Sequence, residues 1–174
     1  MFSHSPTDGL LIDLRQNGGG SGLQGNYILS HFIESPTLSA KYKTRSGPDG
    51  QWEEFPADTI YPQSNKEIYA KPVILLIGSG TYSAAEDFCL AFDQAHRGIK
   101  IGTKTSGSTG NSTGFDLPGG GYGQVTIKRD SYVDGKEFVG YGIEPEIEVE
   151  TTIQDVIEGR DTVLLKAIEV LKDR

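Results

Sequence analysis

The chain has 174 residues, of which 36% are hydrophobic and 23% charged, with a formal net charge of −8. That length suits one domain with a substantial core. The acidic balance excludes a phosphate-binding nucleic-acid surface, no apolar run is long enough for a spanning helix, and a single cysteine, Cys89, excludes an internal disulfide.

Residues 1–9 read as a loose lead-in, and the single domain as residues 10–174. The only methionine is residue 1, no signal peptide follows, and a buried-looking strand begins within ten residues. The expectation is a domain that forms the C-terminal part of a longer protein. Leu10 to Leu14 predicts a short strand covered on both faces. Gln16 to Gly22 is a glycine-rich loop in which backbone can approach a ligand closely. Leu23, Tyr27, Ile28 and Phe32 space as one face of a helix to about Ile33, and Pro36 forbids its continuation. A strand is expected over 38–44, a turn at 46–50, and then a second strand with a surface excursion up to Lys71.

Val73 to Ile77 is a continuous apolar run, the pattern of a fully buried strand. Gly78-Ser79-Gly80 breaks it, and a helix is predicted from about Ser83 to His96, with Ala85, Phe88, Phe92 and Ala95 on one face. Cys89 sits among its packing residues. Gly98 is expected at the helix C-terminus. A strand from Lys100 to Thr103, a second glycine-rich loop over 105–111, and strands over 123–128 and 131–133 follow, with Asp134-Gly135 as a hairpin turn. Gly142 to Val149 reads as extended. A last helix over 161–172 places Leu164, Ala167, Ile168 and Leu171 on one face. The alternation is α/β with antiparallel additions.

Ser83 occupies a glycine-flanked strand-to-helix turn. Such a turn exposes a hydroxyl beside the unpaired N–H groups of a helix start, although a serine there can also serve only as a cap.

Three stretches in order, Leu11-Ile-Asp-Leu-Arg-Gln-Asn-Gly-Gly-Gly20, Gly80-Thr-Tyr-Ser-Ala-Ala-Glu-Asp87 and Gly140-Tyr-Gly-Ile-Glu-Pro-Glu-Ile-Glu-Val149, resemble the C-terminal processing (tail-specific) protease family of serine peptidases. Tricorn-like proteases and the retinoid-binding repeats belong to the same group. Ile101 to Gly107 and Gly159-Arg-Asp161 fit the pattern, so the resemblance runs from about Asp8 to Leu171.

The resemblance implies a crotonase/ClpP-like ββα-spiral core with additional antiparallel strands and a C-terminal helix. It makes Ser83 the acyl-forming nucleophile and assigns the oxyanion donors to the backbone N–H groups of Gly19 and Ala84. Asp13 and Arg15 are expected to be structural, as a buried polar pair or a loop brace, and Glu86 to be structural in the first helical turn.

The base is where the chain departs from the family. In the Ser-Lys branch the lysine position falls on Ser108, which cannot take a proton. Lys104 precedes that loop and is a weak candidate. In the tricorn-like branch, which the chain resembles more closely, a histidine lies upstream and a glutamate shortly before Gly142. The nearest acid here is Glu137, also a weak candidate. His31, His96 and His4 each have a plainer explanation, in packing, capping or the lead-in.

The expected function is therefore a serine endopeptidase core whose general base lies in a missing N-terminal region. Its partners would be unstructured peptides or protein C-terminal segments. The alternative is a catalytically inactive peptide- or ligand-binding module on the same fold, and an acyl-CoA enzyme of crotonase type ranks third. No cofactor and no metal is implied, since one cysteine and three dispersed histidines lack ligand spacing. An extracytoplasmic location follows from the family alone.

Overall fold

The computed structural model describes residues 7–46, 49–64 and 67–173. His4, most of the expected lead-in and residues 47–48 of the expected turn lie outside the described residues. The centre is a four-stranded parallel sheet in the order β1 (Leu10–Asp13), β6 (Val73–Ile77), β7 (Gly98–Gly102), β11 (Ile147–Glu148). All five residues of β6 are buried. Alternation along the strand sends Val73, Leu75 and Ile77 into one core and Ile74 and Leu76 into another. The first core is closed by α1 (Gly22–Leu29) and α2 (Ala84–Gln94), the second by α4 (Thr162–Lys172). Each such side chain contributes roughly 1.5–3 kcal/mol by leaving water, so this strand anchors both layers.

Three smaller β units surround the sheet. β3 (Lys41–Ser46) pairs antiparallel with β4 (Gln51–Phe55) and β10 (Lys128–Ser131), and Tyr42 stacks on Phe55 across the first pair. β2 (Thr37–Leu38) pairs with β5 (Thr59–Ile60). β8 (Ser112–Leu117) and β9 (Gly121–Thr126) form an exposed hairpin. A short helix, α3 (Ile153–Glu158), precedes α4. No helix among the described residues is long and apolar enough to cross a membrane.

Several expectations are corrected. The helix after the first glycine loop stops at Leu29, and of its expected apolar face Leu23, Tyr27 and Ile28 are exposed, Leu23 at 82%, while Phe32, beyond the helix end, is buried. Leu29 turns inward instead, because α1 meets α2 at Gly25, where an added Cβ would lie 3.6 Å from Phe88. Gly98 does not end α2. Ala95 is the C-cap, His96 takes the left-handed turn (φ 49°), and Gly98 opens β7. A side chain on Gly98 would collide with the Val73 carbonyl and the Phe92 ring. The strand expected over 123–128 is really β9, which turns at Gly119-Gly120 back onto the unforeseen β8. β10 follows, and Asp134-Gly135 closes only the isolated bridge from Ser131 to Glu137.

Candidate active site

Ser83 stands between β6 and α2, at the C-terminal edge of the parallel sheet where open α/β folds bind ligands. Its backbone is held at φ 57°, ψ −130°, outside the comfortable range for a residue with a Cβ. Neighbouring loops impose that conformation. Tyr82 N–H donates to Asn17 O (3.0 Å), Ser83 N–H to Ser108 O (3.0 Å), and Ser106 N–H to Thr81 O (3.0 Å). Buried Thr81 accepts from Gly78 N–H and donates to Leu14 O (2.9 Å). Gly80 lies so near the Arg15 carbonyl that an added Cβ would approach it to 2.6 Å. Although Ser83 occupies the N-cap position, its side chain makes no capping hydrogen bond. The hydroxyl is thus released from the role that serines usually play there.

Gly19 faces this turn. A Cβ on it would lie 2.7 Å from Ser83 Cβ, 2.8 Å from Tyr82 O and 2.9 Å from Ala84 N, and its φ is +96°. Ala84 is the first residue of α2, where N–H groups have no intrahelical partner. The structure therefore brings Ser83, Gly19 and Ala84 together. In this state the Gly19 N–H donates to its own loop, to Asn17 Oδ1 at 2.9 Å.

Glu86 explains the shape of the opposite wall. It is wholly buried and accepts from Thr105 Oγ1 (2.6 Å), Gly107 N–H (2.7 Å) and Ser108 N–H (2.9 Å). These bonds fold the 105–108 loop against the Ser83 turn. Asp13 and Arg15 brace the other side and are not a buried pair, since Asp13 is exposed: Arg15 bridges Asp13 (2.6 Å) and Asp161 (2.7 Å), the N-cap of α4. Hydrogen bonding to Arg15 holds both carboxyls below the usual range.

Ser83 opens onto a cavity of about 650 Å³, shared with Gly20, Tyr82, Asp87, Thr109 and Lys128 among others. On the far side of Ala84 and Gly20 is a smaller apolar slot of about 180 Å³ lined by Ile12, Leu14, Ile28 and Phe88. Asp87 accepts from Thr109 Oγ1 at 3.0 Å. Burial, then the charge of Asp130, pushes its carboxyl up to about 7. Lys128 lies 2.6 Å from the wholly buried Asp130. Burial also raises the Asp130 carboxyl, with Lys128 opposing.

The two weak base candidates are elsewhere. Lys104 is exposed and pairs with Glu144 at 3.1 Å. Glu137 pairs with Lys43 (2.7 Å) and Arg129 (3.7 Å) beside a separate cleft. Neither lines the Ser83 cavity. Nor does His31, which bonds Tyr27 O, or His96, at the other end of α2. Cys89 is buried in the core, and burial raises its thiol well above the ordinary range, as packing predicts. No group of residues suited to hold a metal ion occurs among the described residues. Sequence reasoning missed Asp87, Thr109, Lys128 and Asp130. Only Asp87, one helical turn beyond Ser83, had a local signal.

A family model described as peptidase family S41 matches residues 2–149. The carboxy-terminal-processing protease of Bartonella bacilliformis is 29% identical over 165 residues, 93% of this chain and 36% of that protein. The chloroplastic C-terminal processing peptidase of Tetradesmus obliquus is 26% identical over 146 residues, 83% of this chain and 29% of that protein. Among solved structures, a candidate peptidase from Parabacteroides merdae superposes with a TM-score of 0.82 at 29% identity, covering 94% of this chain and 52% of the other. The chain thus spans about a third of the length of these curated relatives.

Proposed function

Since the chain belongs to peptidase family S41, a family of serine-type peptidases, we propose that it is the core of a carboxy-terminal-processing protease with Ser83 as nucleophile. The observation that carries this reading is the strained, uncapped Ser83 at the mouth of a cavity, with Gly19 packed against it. Ser83 Oγ attacks the scissile carbonyl carbon, and its proton passes to a general base supplied by a segment outside residues 1–174. The carbonyl oxygen becomes anionic between the N–H groups of Gly19 and Ala84. For this the substrate oxygen displaces Asn17 Oδ1 from Gly19. The C–N bond then breaks, the amine leaves with a proton, and water hydrolyses the acyl-serine.

The finer fold reading, a ββα-spiral core of crotonase/ClpP type in one domain over residues 10–174, belongs to the same proposal. The substrates are unstructured protein C-terminal segments, as the relatives' names indicate for those proteins, and an extracytoplasmic location is part of the proposal on family grounds. The apolar slot beside Ala84 suits an aliphatic substrate side chain.

The test is peptide hydrolysis and labelling by a fluorescent fluorophosphonate in the full-length protein. Both are expected to vanish in Ser83→Ala. Hydrolysis that survives this substitution removes Ser83 from the mechanism.

A further inference from the structure

Ala84 and Gly20 separate two spaces of opposite character, the apolar slot and the larger polar cavity. We propose that the polar cavity is a subsite for a cationic substrate side chain, lysine or arginine, with Asp87 as its anionic partner. The inference rests on the reading of Ser83 as the nucleophile of a peptidase.

The argument is a balance of charge on the cavity wall. Lys128 lines the cavity, but its ammonium is already committed. It lies 2.6 Å from Asp130 Oδ1 and 4.7 Å from the centre of the Tyr42 ring. Asp130 is wholly buried behind it, and Lys128 is the cation that lies against its carboxyl. One lysine therefore answers one buried aspartate.

Glu86, the other acid near Asp87, is saturated by the three donors of the 105–108 loop. Among the described residues Asp87 is left with a single neutral donor, the Thr109 hydroxyl, and it faces the cavity. The rest of the wall near it, Ser112, Gln124 and Thr126, carries no charge. What the wall lacks is a cation, and a space of about 650 Å³ admits an extended lysine or arginine side chain. An anionic ligand would meet Asp87 with no free ammonium to offset it.

Proton linkage gives the subsite a pH signature. Burial and Asp130, outweighing Lys128 and Thr109, leave the Asp87 carboxyl titrating at about 7, with Glu86 adding to the rise. Below that pH the Asp87 carboxyl is neutral, and above it Asp87 adds one negative charge to the wall. Preference for a cation therefore grows as pH rises through neutrality.

The test uses full-length protein carrying Ser83→Ala, so that binding is read without turnover. Fluorescent decapeptides of alanine, serine and glycine carry one arginine, citrulline or glutamate at each position in turn, and anisotropy is read at pH 6 and pH 8. At one position arginine is expected to bind about tenfold tighter than citrulline at pH 8 and less selectively at pH 6. Asp87→Asn keeps an oxygen for Thr109 but loses the charge, and is expected to bring that ratio to about one at both pH values without weakening the citrulline peptide.

Equal binding of arginine and citrulline at every position overturns the proposal, as does tighter binding of glutamate. So does an arginine preference that survives Asp87→Asn. If Asp87 only braces the loop, Asp87→Asn weakens all peptides alike, which also overturns it. Failure of Ser83 to react with the fluorophosphonate would instead remove the peptidase reading, independently of the anisotropy.

Discussion

Replacing Gly19 by alanine isolates the contribution of the loop that faces Ser83. The new methyl would sit 2.7 Å from Ser83 Cβ, 2.8 Å from Tyr82 O and 2.9 Å from Ala84 N. None of these atoms is the end of a flexible side chain, so relief requires the two loops to part. At φ +96° an alanine also carries a backbone strain of roughly 1–2 kcal/mol. In the proposed mechanism, parting the loops moves one N–H donor away from the forming oxyanion, and loss of one such donor slows acyl transfer by roughly 10²–10³-fold.

Two neighbouring glycines serve as controls. Gly18→Ala meets open space at an ordinary φ, so it should react and fold like the parent. Gly20→Ala also meets open space but at φ +142°, so it reports strain without collision. The assay is the second-order rate of fluorophosphonate labelling of full-length protein, with urea unfolding alongside. A folded Gly19→Ala protein that labels within about threefold of the parent would refute the oxyanion assignment.

Glu86→Gln keeps the shape of the loop brace but removes the charge that three donors share, and should cost about 2 kcal/mol in urea unfolding. Parent-like stability would show that the bonds contribute little. Lys100 is wholly buried between Asp93 and Glu146, whose charges overcome the effect of burial and raise its ammonium above the ordinary value. Lys100→Met leaves Asp93 without its cation and should cost about 3 kcal/mol, and adding Asp93→Asn should recover part of that loss. No recovery would contradict the pairing. Because folding raises the Asp87 carboxyl from 3.8 to about 7, the folded chain keeps a proton that the unfolded chain releases over that interval. Stability from this group is therefore lost as pH rises from about 4 to about 7, and Asp87→Asn should flatten that part of the stability–pH curve. An unchanged slope counts against the raised carboxyl.

Elements with a strong local pattern were legible. The unbroken apolar run of β6 admits only burial on both faces, and the period of Leu164, Ala167 and Leu171 predicts α4 correctly. α3 was overlooked, although Thr152 and Asp155 form a capping box and Gly159 a left-handed stop, because its apolar residues Ile153, Val156 and Ile157 remain exposed and match no core face. The face of α1 was misjudged for the converse reason. Its apolar spacing is real, but close approach at Gly25 decides which side meets α2.

At the site, strand, glycine break and helix start are local signals that draw attention to Ser83, whereas Gly19 and Ala84 were expected only from the family resemblance. Whether Ser83 would cap its helix or stand free was not a local matter. That depends on backbone bonds from Asn17 and Ser108, residues distant in the chain, which hold it at a φ that no short peptide would sustain. The charged wall is likewise a tertiary product. Asp87 comes from α2, Thr109 from the loop that Glu86 folds, and Lys128 and Asp130 from β10, whose position follows from pairing with β3. Local propensity specifies elements within a few turns of chain, whereas burial and charge balance depend on what the fold places alongside them.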